Sequence, residues 1–261
     1  MKIFRTFLLI FIIFQPLFAF DTITFPSRDS LLISADLYLA YQKKAPFILL
    51  FHQAGFSRGE YRDIAPILNE MGFNVMAIDQ RSGNEVNSVV NETAQRALEK
   101  NMRDTYLDAL PDLLASIDYA KSNLAEGRFI IWGSSYSASL ALKIAGDSPQ
   151  QLDGVLAFSP GEYFERLGES CHFIRESTIN IKIPVFITSA QAEKERWWSM
   201  YEIMPAERKE YFLPSTQGIH GSRALWTSTD GHEEYWSAVK KFLQQFLVES
   251  TPQAPQDLHP H

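Results

Sequence analysis

Short, mostly apolar runs recur along this chain at residues 47–51, 73–78, 129–132, 154–158 and 184–188, each about the length of one buried strand. Between them apolar residues return at helical spacing. Tyr61, Ile64, Ile67, Leu68 and Met71 form one such face, closed by Gly72, and Leu107, Leu110, Leu114 and Ile117 form a second, with Pro111 expected to kink it. Ala138, Leu140, Ala141, Ile144 and Ala145 form a third, with Gly146 read as its C′ residue, and Trp236, Val239, Phe242, Leu243 and Phe246 form the last. Upstream, two partly alternating runs at 22–25 and 32–39 flank Ser27-Arg28-Asp29-Ser30 as a hairpin, and a short strand is expected at 210–213. Strands alternating with helices predict an α/β fold: a mostly parallel, twisted sheet of about eight strands with helices on both faces. In such sheets the chemistry sits beyond the strands' carboxyl ends.

Two segments fall outside this alternation. Residues 1–20 carry Lys2 and Arg5, then the apolar run 7–14, a Gln15-Pro16 break and Leu17-Phe18-Ala19, which resemble the charged, apolar and cleavage regions of a signal peptide. The run is too short to span a bilayer comfortably. Export with cleavage near Ala19 or Phe20 is the expectation, leaving no stable membrane span; an uncleaved N-terminal anchor is the other reading, and both place the domain outside the cytoplasm. Residues 249–261, with Pro252, Pro255 and Pro260, form a polar, proline-rich tail expected to be disordered. One domain, residues 21–248, lies between them.

Of 261 residues, 24 are basic and 31 acidic, a net charge of −7 that becomes −9 once Lys2 and Arg5 are removed. Such an acidic surface argues against nucleic acid as a partner. Cys171 is the only cysteine, so neither an internal disulfide nor a cysteine-based metal cluster can form. No metal site and no cofactor is expected, and the oligomeric state is not readable.

The chemistry-bearing residues gather where the pattern puts strand ends. The run at 129–132 passes directly into Gly133-Ser134-Ser135-Tyr136-Ser137 and then a helical face, so the sequence reads strand, sharp turn, helix. Such a turn presents Ser135 Oγ above the sheet edge, with the helix's first N–H groups aimed at whatever binds there. A serine nucleophile needs a base for its proton, an acid to orient that base, and donors for the developing oxyanion. His220, between Gly218 and Gly221 after the last strand, is the candidate base, and Glu193, four residues past Ser189, the candidate acid. Glu195, Glu162 and Asp230 are rival acids. The order serine, acid, histidine is that of the α/β-hydrolase arrangement.

On these residues the chain resembles the α/β-hydrolase superfamily, and within it the dienelactone-hydrolase-like small serine esterases, from the hairpin at Thr22 to the helix at Trp236. Gly133-Ser134-Ser135-Tyr136-Ser137 matches the nucleophile elbow, His52-Gln53-Ala54-Gly55 the HGxG oxyanion turn, and His220-Gly221 the C-terminal histidine. Asp79-Gln80-Arg81-Ser82-Gly83 resembles the D-x-R-x-G turn, and Ala190-Gln191-Ala192-Glu193 stands where the family often has G-x-x-D. Three residues depart from the pattern: Ser137 for the second elbow glycine, Gln53 for the glycine after His52, and Glu193 for the commoner aspartate. The resemblance implies hydrolysis of a small carboxylic ester through an acyl-enzyme on Ser135. The oxyanion would be held by the backbone N–H of Tyr136 with that of Gln53 or Ala54. A thioesterase or peptidase would use the same triad, and a scaffold that binds without turning over would keep the same fold.

Other residues weigh in less. Tyr136 is expected to shape the cleft beside the nucleophile, and Trp197 and Trp198 either wall an acyl pocket or pack a helix. His52 reads as a structural residue of the oxyanion turn, His232 as solvated, and Cys171 beside His172 as buried and inert.

Overall fold

In chain order, the computed structural model, which describes residues 20–247, opens with the antiparallel hairpin β1 (Asp21–Pro26) and β2 (Leu32–Tyr38). Then follow β3 (Phe47–Phe51), α1 (Ile64–Glu70) and β4 (Asn74–Ile78), a two-residue ribbon β5 (Glu85–Val86) and β6 (Val89–Val90), α2 (Glu92–Glu99) and α3 (Leu110–Asn123). The second half runs β7 (Phe129–Ser134), α4 (Tyr136–Asp147), β8 (Gly154–Phe158), α5 (Arg175–Thr178), β9 (Val185–Thr188), α6 (Lys194–Ile203), β10 (Lys209–Phe212) and α7 (His232–Leu247). The leader up to Ala19 and the tail at 249–261 lie outside the described residues.

Eight strands form one sheet in the order β1-β2-β4-β3-β7-β8-β9-β10. From β4 onward every pairing is parallel, and β2 joins β4 antiparallel. The central strands read as unbroken apolar runs because both of their faces are covered. Phe47, Leu49, Phe51, Ile131 and Val155 pack toward α3, α4 and α6, while Ile48, Leu50, Ile130, Trp132 and Leu156 face α1 and α7. Alternate side chains of one strand thus enter two separate cores, which fixes the register: a slip of one residue would exchange the two sets.

Four expectations are corrected. Pro111 does not kink a long helix; it stands in the first turn of α3, where its missing N–H costs nothing, and Leu107 precedes that helix. Gly146 is not a cap but lies inside α4, and a Cβ there would meet the Ser177 carbonyl at 2.0 Å, so its role is to let α5 approach. The polar connection after Gly83 contains the β5–β6 ribbon and α2, whose alternation is too short or too polar to stand out. Cys171 is exposed rather than buried. No helix among the described residues is long and apolar enough to cross a membrane.

Candidate active site

The turn after β7 is tight because its neighbours leave no room for side chains. A Cβ on Gly133 would lie 2.3 Å from the Ser137 carbonyl oxygen and 2.5 Å from the Ala138 backbone. Ser135 follows at φ 60°, ψ −123°, a conformation that favours glycine, and its N–H donates to the Phe158 carbonyl of β8 at 2.7 Å. The departure at Ser137 has a use: its hydroxyl accepts from Ser134 N–H at 3.0 Å and lies 2.8 Å from the carbonyls of Phe51, His52 and Ser134. A glycine would have no group for that junction of β3 and β7. Ser135 keeps a small exposed surface of 8%.

Beyond β9 and β10, Glu193 and His220 meet: Nδ1 of the imidazole is 2.6 Å from Glu193 Oε1. The other carboxylate oxygen accepts from the Ser159 hydroxyl at 2.8 Å and from Ala190 N–H at 3.3 Å. Burial would raise the Glu193 pKa, but the hydrogen bonds from His220 and Ser159 outweigh it and hold the carboxyl below its ordinary value. The rival acids are elsewhere: Glu162 accepts the N–H groups of Ile174 and Arg175, and Glu195 and Asp230 are exposed. His220 Nε2 and Ser135 Oγ make no hydrogen bond among the described residues, so both remain open.

Sequence reasoning missed two residues here. Ser159, at φ 55° past β8, spans the acid and the histidine loop, since its Oγ also accepts from Gly221 N–H at 2.9 Å. Tyr163, four residues later, donates to the Ser159 carbonyl at 2.8 Å. Burial and the Glu193 charge raise its phenol pKa, and the nearby Ser135 and Arg196 side chains work against them. Only the Ser-Pro-Gly break after an apolar run marked this loop in advance.

Donors for an oxyanion are found in part where expected. Tyr136 N–H, at the start of α4, and Ala54 N–H have no acceptor among the described residues. Gln53 N–H is already committed to Glu60 Oε2 at 2.7 Å, which removes it from the candidate donors. The Tyr136 side chain shapes no open cleft: it is fully buried and stacks on Tyr106 at 4.5 Å between ring centroids. Trp197 is also fully buried, its Nε1 donating to Ser189 Oγ at 2.9 Å, so it takes the packing role. Trp198 is half-buried within an aromatic group with Tyr201 and Tyr211, and Lys194 lies over its ring.

His52 holds the oxyanion turn from inside. Nε2 accepts from Gln80 N–H at 3.2 Å, so the proton sits on Nδ1 and is donated to the Gln53 carbonyl at 2.7 Å. Burial depresses its pKa to about 4 against the pull of those two backbone bonds, so the ring stays neutral. His232 caps its own turn through Thr229.

An eight-stranded, mostly parallel sheet, a strained serine turn after its fifth strand and a carboxylate-bound histidine after its last define the α/β-hydrolase fold. Solved structures share it. An esterase of Pyrococcus furiosus superposes with a TM-score of 0.68 at 19% identity, over 88% of this chain and 94% of that one. A dienelactone hydrolase of Anabaena variabilis gives a TM-score of 0.66 at 13% identity, over 88% and 99%. An acylaminoacyl peptidase of Pyrococcus horikoshii gives 0.64 at 16% identity, where 90% of this chain covers only 43% of that larger one. By sequence alone no family model and no curated protein matches.

Proposed function

We propose that this protein is an exported serine hydrolase that cleaves small carboxylic esters through an acyl-enzyme on Ser135. The observation that carries the reading is the 2.6 Å contact between Glu193 and His220 beside the strained serine turn. With Nδ1–H held by the carboxylate, Nε2 is the basic nitrogen, and it takes the Ser135 proton as Oγ attacks the ester carbonyl. The imidazolium formed is stabilised by Glu193, and the oxyanion by the N–H groups of Tyr136 and Ala54. Collapse breaks the ester C–O bond, and the proton on Nε2 passes to the departing alcohol. Water, deprotonated by the same nitrogen, then releases the acid and restores Ser135. Catalytic hydrogen bonds are often long in uncomplexed enzymes, so the open Ser135 Oγ is compatible with this cycle.

Short p-nitrophenyl esters and a fluorophosphonate probe test the reading. The wild type is expected to turn over the esters and to take the label on Ser135, and Ser135→Ala to lose both, with turnover falling on the order of 10⁶-fold. Labelling of the alanine variant, or a wild type that neither labels nor hydrolyses, would refute it. Anilide and thioester analogues run in parallel distinguish peptidase and thioesterase activity on the same triad.

A further inference from the structure

Glu60 is a carboxylate that the proposed reaction cycle does not use, yet it is fully buried beneath the site. It lies in the single 3-10 turn Arg58–Tyr61 that follows the oxyanion turn. Its side chain touches two of the loops that must converge on the substrate. Oε2 accepts from Gln53 N–H at 2.7 Å, in the turn that carries Ala54. Oε1 accepts from the Ser134 hydroxyl at 2.7 Å, one residue before the nucleophile. Ser134 Oγ in turn accepts from Ser222 N–H at 2.8 Å, two residues after His220. The same turn is anchored from outside by Trp226 Nε1, which donates to the Glu60 carbonyl at 2.8 Å. Three strand ends are thus joined through one carboxylate and one hydroxyl, the link between Ser134 and Ser222 alone spanning 88 residues of sequence.

We propose that Glu60 is the positioning residue of this site: its two oxygens tie the oxyanion turn to the serine turn and, through Ser134, to the histidine loop. This rests on the serine-hydrolase reading. The contacts as they stand use the ionised form, in which both oxygens accept; a protonated or amide group would turn its donor toward the Ser134 hydroxyl, which could accept only by giving up its own donation to Glu60. Among the described residues no salt-bridge partner holds that charge. The ionisable groups acting on it are Arg223, whose field favours the carboxylate, and the neighbouring phenol of Tyr61, while burial pushes the Glu60 pKa up to about 7. A carboxylate kept where its charge is disfavoured points to a use for its two acceptors.

Glu60→Gln keeps the shape and removes one acceptor. The expected result is a fall in kcat of about 10²-fold, the scale of a misplacement of about 1 Å, with KM for p-nitrophenyl acetate little changed. Ser134→Ala, which cuts the middle link, is expected to lower kcat in the same way. Independently of any variant, amide spectra of the whole wild-type protein followed from pH 5 to 9 should show Gln53 and Ser222 shifting together with one midpoint near 7. Glu60→Gln should lose that shift. A Gln53 amide that does not titrate in an active wild type, or a Glu60→Gln variant within two-fold of wild-type kcat, would overturn this inference and leave the hydrolase reading intact. A wild type that neither hydrolyses nor labels would overturn both.

Discussion

Ser135 and Ser159 are two of only six non-glycine residues among those described that hold a positive φ, and both lie at the carboxyl ends of adjacent strands within the site. Such a conformation costs on the order of 1–3 kcal/mol per residue and persists only where the surroundings enforce it. At Ser135 the enforcement is the bond from its N–H to β8 and the crowding at Gly133. Ser135→Gly is therefore expected to raise stability by about 1 kcal/mol, the relieved strain less the added freedom of the unfolded chain, while abolishing turnover. Ser135→Ala keeps its Cβ and so keeps the strain. Urea unfolding of the three proteins separates these outcomes: a glycine variant no more stable than the alanine variant would mean that the turn is relaxed.

At the scale of elements, the strands were legible because burial on both faces leaves apolar runs with no polar alternative. The misread features were those whose meaning is set by a distant neighbour. Gly146 looks like a helix end until the Ser177 backbone is found against it, and Pro111 looks like a kink until α3 is found to begin at Leu110. Ser137 departs from the usual elbow glycine, yet its hydroxyl accepts from Ser134 N–H and has the carbonyls of Phe51, His52 and Ser134, at the ends of β3 and β7, at 2.8 Å as acceptors for its one proton. Its replacement tests the junction directly. Ser137→Ala leaves the buried Ser134 N–H without its acceptor and is expected to cost about 1–3 kcal/mol. Ser137→Gly, the residue of the usual elbow, should cost a further 0.5–1 kcal/mol or so through the freedom it gives the first turn of α4. A glycine variant as stable as wild type, by thermal or urea unfolding, would show that the hydroxyl contributes nothing to the junction.

For the molecule as a whole, the order of serine, acid and histidine was readable because each follows its own strand. The links at Ser159 and Glu60 were not readable, since each joins residues far apart in sequence. Those buried links also shape how stability depends on pH. Glu60 binds its proton more tightly in the fold, at about 7 against an ordinary 4.5, so the stability it contributes is present below 4.5 and is lost as pH rises through 7. His52 acts in the opposite sense: held neutral down to about 4 against an ordinary 6.5, it contributes stability above 6.5 that is lost as pH falls through 4. Between about 4.5 and 6.5 the two trends oppose each other. Removing one exposes the other, and the difference between Glu60→Gln and wild type cancels every group the two proteins share. That difference is expected to move in the variant's favour by roughly 3 kcal/mol from pH 4.5 to pH 7.5, on top of a constant offset for the lost hydrogen bond. Urea midpoints at several pH values in this range measure it. A difference independent of pH would mean that the Glu60 carboxyl ionises as it does in the unfolded chain, whereas the expected rise would mean that the fold gives up stability at neutral pH to keep a charged acceptor beneath its serine.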